Sequence, residues 1–318
     1  MFFPWFENPE YRMPPPENFA PLAAEKELQR LYGLTAEQLA WRRWCIDANC
    51  GGDIQVFHQE YPAFAGEAFI ASGRPVFDVP ALVRALHGAE KPLRRGDLEE
   101  VDGRVTFVDS PQGNLRLWRL PEEGREYVIG VDTASGKEGG DYAAMEVVIR
   151  DSGEQAAEWH GHIDPDLLGV QAAYLGRYYN LARVTPEVNN HGVATVNALK
   201  RLAYPRIYRR RTVNRSSDYT MQEYGFFTSA RTKPLLISAL AGHIRREAEK
   251  IHGKETINEC LTYMYDEKGA ANAREGSHDD RVMALALALY VLTEQPYYER
   301  EEFEEGQWYG AVDPITGY

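Results

Sequence analysis

Five acidic residues lie where predicted strands or helices begin or end. Asp132 ends the apolar run YVIGVD, and Asp141 precedes the next apolar run. Glu187 follows the short run RVTP, and Asp279 and Asp280 begin a long apolar stretch. Carboxylates gathered in one place repel one another unless a cation neutralises them, and all-oxygen ligand sets favour Mg²⁺ or Mn²⁺. The pattern therefore predicts a site for hard divalent cations at one edge of the fold.

Such a site has a definite chemical use. Two divalent ions about 3.5–4 Å apart can activate a water on one side of a phosphodiester and stabilise the leaving oxygen on the other. Each acid also has a simpler interpretation when taken alone. Asp132 fits a turn residue, Glu187 a solvated strand end, and Asp279 with Asp280 the N-terminal cap of a helix. Their joint placement in one α/β pattern favours the two-ion site.

The elements that must position these acids follow from hydrophobic periodicity. Strands are predicted at residues 115–119, 127–132, 142–150, 154–163, 183–188 and 206–208. Helices are predicted at 165–179, 194–202, 233–252 and 277–294, with a shorter segment at 257–264. Strands 127–163 are joined by short, turn-like segments, which is typical of an antiparallel meander. The alternation of helix and strand that follows predicts an α/β fold, with a mixed sheet flanked by helices.

The N-terminal part is predicted to be mainly helical. Helices are expected at 23–32, 35–49, 53–77 with a break at Pro62, and 78–87, before a polar boundary at 88–114 with a small strand at 105–108. Residues 1–114 are accordingly predicted to form a helical linker region and residues 115–295 a separate α/β domain. Residues 296–318 form an acidic tail that we expect to be flexible.

Composition limits the class of protein. The formal net charge of −13 would normally argue against a nucleic-acid partner, yet the segment RIYRRRTVNR holds five arginines in ten residues. Local charge decides binding to a phosphate backbone. The three cysteines, Cys45, Cys50 and Cys260, have neither the number nor the spacing of a disulfide framework or zinc site. No apolar run approaches the roughly 20 residues that span a bilayer. A cytoplasmic location and no membrane partner are therefore expected.

Three blocks of this sequence resemble the C-terminal nuclease domain of the large terminase subunits of tailed phages. They are VIGVDTASGKEGGDYAAMEVV (128–148), TPEVNNHGVATVNAL (185–199) and NECLTYMYDEKGAANAREGSHDDRVMALALA (258–288). Upstream, residues 41–78 are similar to the segment that joins the packaging ATPase to the nuclease in the same family. The resemblance implies a ribonuclease H-like fold over residues 115–295. It also implies a cytoplasmic enzyme of the host bacterial cell that cuts concatemeric double-stranded DNA.

The resemblance also implies roles for the acids. Asp132, Glu187 and one of Asp279 and Asp280 would be the catalytic, metal-binding acids, with Asp280 the first choice. Asp141 would be a further metal ligand or a supporting group, and His278 an auxiliary residue beside the acids. Two Mg²⁺ or Mn²⁺ ions are expected. The simplest interpretation of Asn189 and Asn190 is turn and cap chemistry, and that of His160 and His162 is partly exposed strand residues.

Eight basic residues are candidates for binding the DNA backbone. They are Lys137, Arg206, Arg209, Arg210, Arg211, Arg215, Arg231 and Lys233. Lys137 lies between the first two acids of the pattern, and Lys233 precedes a long helix. The five arginines are expected to flank a strand and an irregular loop beside the metal site. A solvated charge run is the alternative interpretation of this loop.

The sequence departs from the resemblance in one respect. No G-x-x-x-x-G-K-[ST] phosphate-binding loop is present, so no ATPase activity is expected from these residues. The chain would then be a truncated form, a split-gene product or a remnant. Implied partners are DNA, the portal protein, the small terminase subunit and a packaging ATPase domain. The alternatives are a Holliday-junction resolvase or transposase-like nuclease of the same fold, a packaging assembly module that does not cut, and an ATPase of the sugar-kinase or actin type. The short chain argues against the last.

Overall fold

The computed structural model describes residues 3–64, 67, 74–136, 141–189, 191–214, 219–274 and 277–294, and for 211–214 and 219–221 the backbone alone. The predicted site residues Lys137 and Arg215, together with the predicted tail at 296–318, lie outside these ranges. The described helices are α1 (Ala23–Tyr32), α2 (Ala36–Ala48), α3 (Ile54–Glu60), α4 (Val79–Gly88), α5 (Pro165–Tyr178), α6 (Gly192–Arg201), α7 (Lys233–Glu247), α8 (Lys254–Leu261) and α9 (Asp280–Thr293). Short 3₁₀ turns occur at Trp5–Glu7 and Ala248–Lys250.

A mixed sheet of seven strands forms the centre of the molecule. The twelve strands of the described residues are β1 (Arg74–Pro75), β2 (Arg94–Val101), β3 (Arg104–Asp109), β4 (Leu115–Leu117), β5 (Tyr127–Asp132), β6 (Ala143–Ile149), β7 (Gln155–Gly161), β8 (Arg183–Pro186), β9 (Arg209–Asn214), β10 (Tyr219–Tyr224), β11 (Tyr263–Tyr265) and β12 (Ala271–Ala273). Of these, β1, β11 and β12 form a separate three-stranded sheet, and β9 pairs only with β10 in a two-stranded sheet. The central sheet has the order β3-β2-β4-β7-β6-β5-β8. Its pairs are antiparallel except β5 with β8, which is parallel. The predicted meander of β5, β6 and β7 and the α/β class are confirmed.

Each face of the sheet is covered by helices because each face carries its own apolar residues. Side chains alternate along a strand, so Val128 and Gly130 of β5 lie on one face and Ile129 and Val131 on the other. Val128 packs in a core with α4, α7, α8 and α9. Ile129 and Val131 pack in the core that contains residues of α5. Because β5 pairs with β6 on one side and with β8 on the other, only the ends of this strand are open for a site.

The N-terminal region packs around its own aromatic core. Trp5, Trp41 and Phe57 are buried there, and the rings of Trp5 and Trp41 stack with centroids 5.4 Å apart. Helix α2 begins at a capping box, in which Thr35 accepts from the backbone of Gln38 and the Gln38 side chain accepts from the backbone of Thr35. The domain limits themselves stay a prediction, and β2 and β3 join the central sheet from upstream of residue 115.

One predicted strand is shorter than expected. The strand expected at 206–208 is reduced to a single bridge between Val184 and Ile207. The basic segment that follows includes β9, which pairs antiparallel with β10. Cross-strand pairing of opposite charges stabilises such a pair of strands, as with Arg210 and Glu223, whose charged atoms lie 3.7 Å apart.

Helix α7 ends at Glu247 rather than at residue 252, and a 3₁₀ turn follows it. Among the residues described, no helix combines the length and the apolarity needed to cross a bilayer.

Candidate active site

The parallel pairing of β5 with β8 brings Asp132 and Glu187 side by side. Val131 is level with Pro186 in the register, and the backbone N–H of Glu187 donates to the carbonyl oxygen of Val131 at 2.9 Å. The Glu187 side chain is near enough to Asp132 to raise the pKa of the Asp132 carboxyl. Asn189 donates from its side-chain amide both to Glu187 Oε1 and to the carbonyl oxygen of Thr228, each at 2.9 Å. Asn189 therefore orients Glu187 rather than acting only as a turn residue.

The first turn of α9 supplies two more acids to the same place. Asp279 occupies the N-cap position, yet its side chain makes no capping hydrogen bond. Asp280 is 6% exposed, and its Oδ2 atom is buried without a hydrogen-bond partner. A recess of about 210 Å³ opens there, and its lining is Asp132, Thr133, Ala134, Asp141, Ser277, His278, Asp279 and Asp280. Acids distant in the sequence thus share one recess at the end of β5.

Electrostatic repulsion within this group is strong. Burial raises the pKa of Asp132 well above its usual value, and contact with Glu187 and the charges of Asp280 and Asp279 raise it further. Burial also raises the pKa of Asp279; Lys233 opposes that rise, and the neighbouring acids reinforce it. Lys233 Nζ lies 3.8 Å from Asp279 Oδ2. A cation placed in the recess would relieve this repulsion.

The donor chemistry of the recess fits a hard divalent cation. The acids offer oxygen donors, and the unpartnered Oδ2 of Asp280 is a buried acceptor free to take a ligand. Within the described ranges, however, no three Asp, Glu, His or Cys side chains are arranged to hold a metal ion as they stand. Burial and the neighbouring acids raise the pKa of Asp132 and so favour a proton on this carboxyl, which metal binding would have to displace.

Three histidines and one tyrosine form a wall beside the acids. Tyr142 stacks on His160 and His162, with ring centroids 4.6 Å and 3.8 Å apart, and meets His278 edge-on at 5.8 Å. His160 Nε2 lies 3.7 Å from Asp280 Oδ2, and both atoms are buried without hydrogen-bond partners. His278 Nδ1 lies 4.0 Å from the same oxygen. The prediction that His160 is only a partly exposed strand residue therefore missed its proximity to Asp280.

The register of the sheet relates His160 to Asp132. Asp132 of β5 is level with Ala144 of β6, which is level with His160 of β7. Directly paired residues lie on the same face of a sheet, so the three form one row across it. The next row contains Gly130, Glu146 and Glu158. Both glutamates are buried, and the Thr256 hydroxyl lies 2.9 Å from a carboxylate oxygen of each.

The structure separates the predicted basic residues. Lys233 lies beside Asp279, and Arg231 is exposed shortly before it. Arg209 is exposed and stands over the Tyr224 ring at 4.8 Å. Arg206 pairs instead with Glu126 at 2.9 Å, just before β5 and so at the opposite end of that strand from Asp132. Arg211 lies on β9, where the structure describes the backbone alone.

Comparison with known proteins gives one family match. Residues 129–291, just over half of the 318, match a family model described as the terminase RNaseH-like domain. The match extends from β5 into α9. One similar solved structure is the large terminase nuclease of the thermophilic phage G20c with bound magnesium; it is 21% identical, has a TM-score of 0.47, and the match covers 68% of this chain and 96% of that one. Another is the large terminase nuclease domain of Thermus phage P74-26; it is 18% identical, has a TM-score of 0.43, and the match covers 68% of this chain and 94% of that one.

Proposed function

The chain belongs to the family of terminase RNase H-like domains, and from that premise we propose that it is a metal-dependent DNA endonuclease of viral genome packaging. Its substrate would be concatemeric double-stranded DNA, cut by hydrolysis of a phosphodiester. The observation that carries the proposal is the recess at the end of β5, which Asp132, Asp279 and Asp280 line, with Glu187 at the adjacent end of β8. This is the arrangement in which repelling carboxylates favour a cation.

In the proposed mechanism, Asp132, Glu187 and Asp280 would hold the cations, and Asp279 and Asp141 would support them from the rim of the recess. When bound, two Mg²⁺ or Mn²⁺ ions supply Lewis acidity to the attacking water and the leaving 3′-oxygen. Asn189 keeps Glu187 turned toward Asp132. The products would carry 5′-phosphate and 3′-hydroxyl ends. We expect no ATP hydrolysis from these 318 residues, because they contain no phosphate-binding loop motif.

The partners follow from the same proposal. Packaging requires a motor, so we propose that this chain acts with a packaging ATPase domain, a portal protein and a small terminase subunit. The DNA itself would be held by sequence-independent phosphate contacts, for which Arg209, Arg231 and Lys233 are the best-placed described candidates. Arg206 contributes less in this proposal, because it pairs with Glu126 away from the acids.

The direct test of the function is cleavage of plasmid DNA by the purified chain. We expect nicked and linear products with Mg²⁺ or Mn²⁺ and none with EDTA, and we expect that DNA ligase can rejoin the ends without prior phosphorylation. A four-way junction and a linear duplex serve as parallel substrates. Cleavage of the junction with the duplex untouched would point to a resolvase instead. A wild-type chain that binds both metal and DNA but cuts neither substrate would point to an assembly module.

Lys233 provides a test in which two effects have opposite signs. The ammonium group of Lys233 lies 3.8 Å from Asp279 Oδ2 and cannot itself bind a metal ion. Lys233→Gln should therefore strengthen Mn²⁺ binding, because it removes a positive charge that competes with the ion. The same change should weaken DNA binding about threefold to tenfold and reduce its salt slope by about one, as expected for one lost phosphate contact.

Calorimetry with Mn²⁺ and fluorescence anisotropy with a labelled duplex at several salt concentrations measure the two effects. Lys254→Gln is the matched control, because Lys254 is exposed at the start of α8. If Lys233→Gln weakened both Mn²⁺ and DNA binding, the assignment of Lys233 to the phosphate would be wrong.

A further inference from the structure

The first turn of α9 is capped by a residue from another helix. Glu259 of α8 accepts hydrogen bonds at Oε2 from the backbone N–H groups of Arg281, at 2.9 Å, and Val282, at 3.4 Å. An aspartate at the N-cap position normally accepts such bonds itself. Here the Asp279 side chain makes no capping bond, because Glu259 takes that role. Neither carboxylate of the Asp279–Asp280 pair is therefore consumed in closing the helix end.

Glu259 also holds the side chain next to Asp280. Its Oε1 atom accepts a hydrogen bond from Arg281 Nη1 at 2.6 Å. The Nε atom of Arg281 lies 3.1 Å from Oε1 of Glu158 on β7, and Arg116 Nη1 lies 2.7 Å from the same oxygen. Glu158, Glu259 and Arg281 are all buried. Residue 281 is thus fixed through both its backbone and its side chain.

This fixation determines where the neighbouring carboxylate lies. Residues 280 and 281 are consecutive, so restraining the backbone at 281 restrains the direction in which Asp280 leaves the helix. Metal sites tolerate ligand displacements of only about 0.5 Å. A group that touches no ion but fixes a ligand can change metal affinity about 10–100-fold.

We infer that Glu259 is a positioning residue for the acids of the recess. Glu259 caps α9 and accepts a hydrogen bond from the Arg281 side chain. It thereby holds the first turn of α9 so that Asp279 and Asp280 face Asp132 and remain free for a divalent cation. The inference rests on the proposed metal-dependent function for its purpose, although the capping geometry stands without it. The inference gives α8 a role at the site, although no residue of α8 lines the recess.

Glu259→Gln tests the inference, and Glu146→Gln is its matched control. The glutamine keeps the size of Glu259 but removes the charge opposite Arg281. Glu146 belongs to the same buried polar group, where it accepts from Gln155 at 2.6 Å and Thr256 at 2.9 Å. Burial, and then the charge of Glu158, raise the pKa of Glu146 well above its usual value, so we expect removal of its charge to cost little.

We expect Glu259→Gln to weaken Mn²⁺ binding about tenfold or more in calorimetry on the metal-free protein. Its DNA affinity in EDTA should stay within about twofold of wild type, and high Mn²⁺ should restore most of its cleavage rate. Glu146→Gln should resemble wild type throughout. Wild-type Mn²⁺ affinity in folded Glu259→Gln would overturn the inference, and so would an equal loss in both variants.

The outcomes also separate this inference from the proposed function. If wild type binds Mn²⁺ and Glu259→Gln binds it weakly, but neither cuts DNA, the positioning role stands and the nuclease proposal fails. If wild type cuts DNA and Glu259→Gln matches it at every Mn²⁺ concentration, only the positioning role fails. If Glu259→Gln does not fold, Glu259→Asp is the alternative variant. It keeps the charge, but its shorter side chain cannot reach both the Arg281 guanidinium and the backbone N–H groups of α9. Wild-type Mn²⁺ affinity in Glu259→Asp would equally overturn the inference.

Discussion

Replacing Asp132 with asparagine should abolish DNA cleavage in both Mg²⁺ and Mn²⁺. We expect the rate to fall by about 10³-fold or more, since a bound ion contributes several kcal/mol to stabilising charge in the transition state and each 1.4 kcal/mol is about tenfold. The reason is positional as well as electrostatic. Asp132 lines the recess with Asp279 and Asp280, and Glu187 and both of these acids raise its pKa. Plasmid cleavage at saturating metal measures the effect.

The same substitution should stabilise the metal-free protein. Because burial and the neighbouring acids raise the pKa of Asp132, the unfolded chain ionises first as the pH rises above about 4, and the stability of the fold falls until the folded pKa is passed. Asparagine removes this cost, and substitutions that relieve a strained active site commonly gain about 0.5–2 kcal/mol. Thermal unfolding in EDTA should therefore show a midpoint higher by a few degrees and a flatter dependence on pH.

Asp102→Asn is the control for both effects. Asp102 lies in the turn between β2 and β3 with a φ of 51°, a conformation that asparagine also adopts readily, and it is exposed. This variant should cut DNA and unfold as wild type does. If Asp132→Asn cut DNA at the wild-type rate, Asp132 would have no part in the mechanism. If it lost stability in EDTA, the repulsion ascribed to Asp132 would be wrong.

Local patterns in the sequence predict the parts of this fold that depend on neighbouring residues. The strands β5 to β7 follow from apolar runs separated by short turns, and α9 follows from its long apolar stretch. The placement of Asp132 at a strand end and of Asp280 at a helix start follows from the same patterns. These features are set within a dozen residues of chain, so they need no knowledge of distant contacts.

Features that depend on distant pairing could not be obtained in this way. The sequence does not reveal that β2 and β3 extend the central sheet, because the pairing of β2 with β4 and of β3 with β2 is decided by packing rather than by local pattern. It also does not reveal that Glu259 caps α9, since 22 residues separate Glu259 from Arg281. An aspartate at a helix start ordinarily caps that helix itself. Whether a residue from another helix takes over the cap depends on how the two helices pack.

Gly130 shows how the sheet and α9 must approach for these acids to meet. A Cβ atom at this position would lie 1.9 Å from the carbonyl oxygen of Ala284 and 2.7 Å from the backbone nitrogen of Ala288. Both are main-chain atoms of α9, so the helix would have to move as a whole. We expect Gly130→Ala to destabilise the protein by about 3 kcal/mol, at the upper end of the usual cost of overpacking. This corresponds to a fall of roughly 6–12 °C in the unfolding midpoint.

The displacement should also reach the recess. Asp132 lies two residues beyond Gly130 on the same face of β5, and Asp280 lies one helical turn before Ala284. Pushing α9 away from Gly130 therefore separates Asp280 from Asp132, and Mn²⁺ affinity should fall even below the unfolding temperature. Gly88→Ala, where a Cβ atom meets nothing within 4 Å, is the control and should leave both properties unchanged. A folded Gly130→Ala protein with wild-type stability and Mn²⁺ affinity would mean that close contact between β5 and α9 is not what brings these acids together.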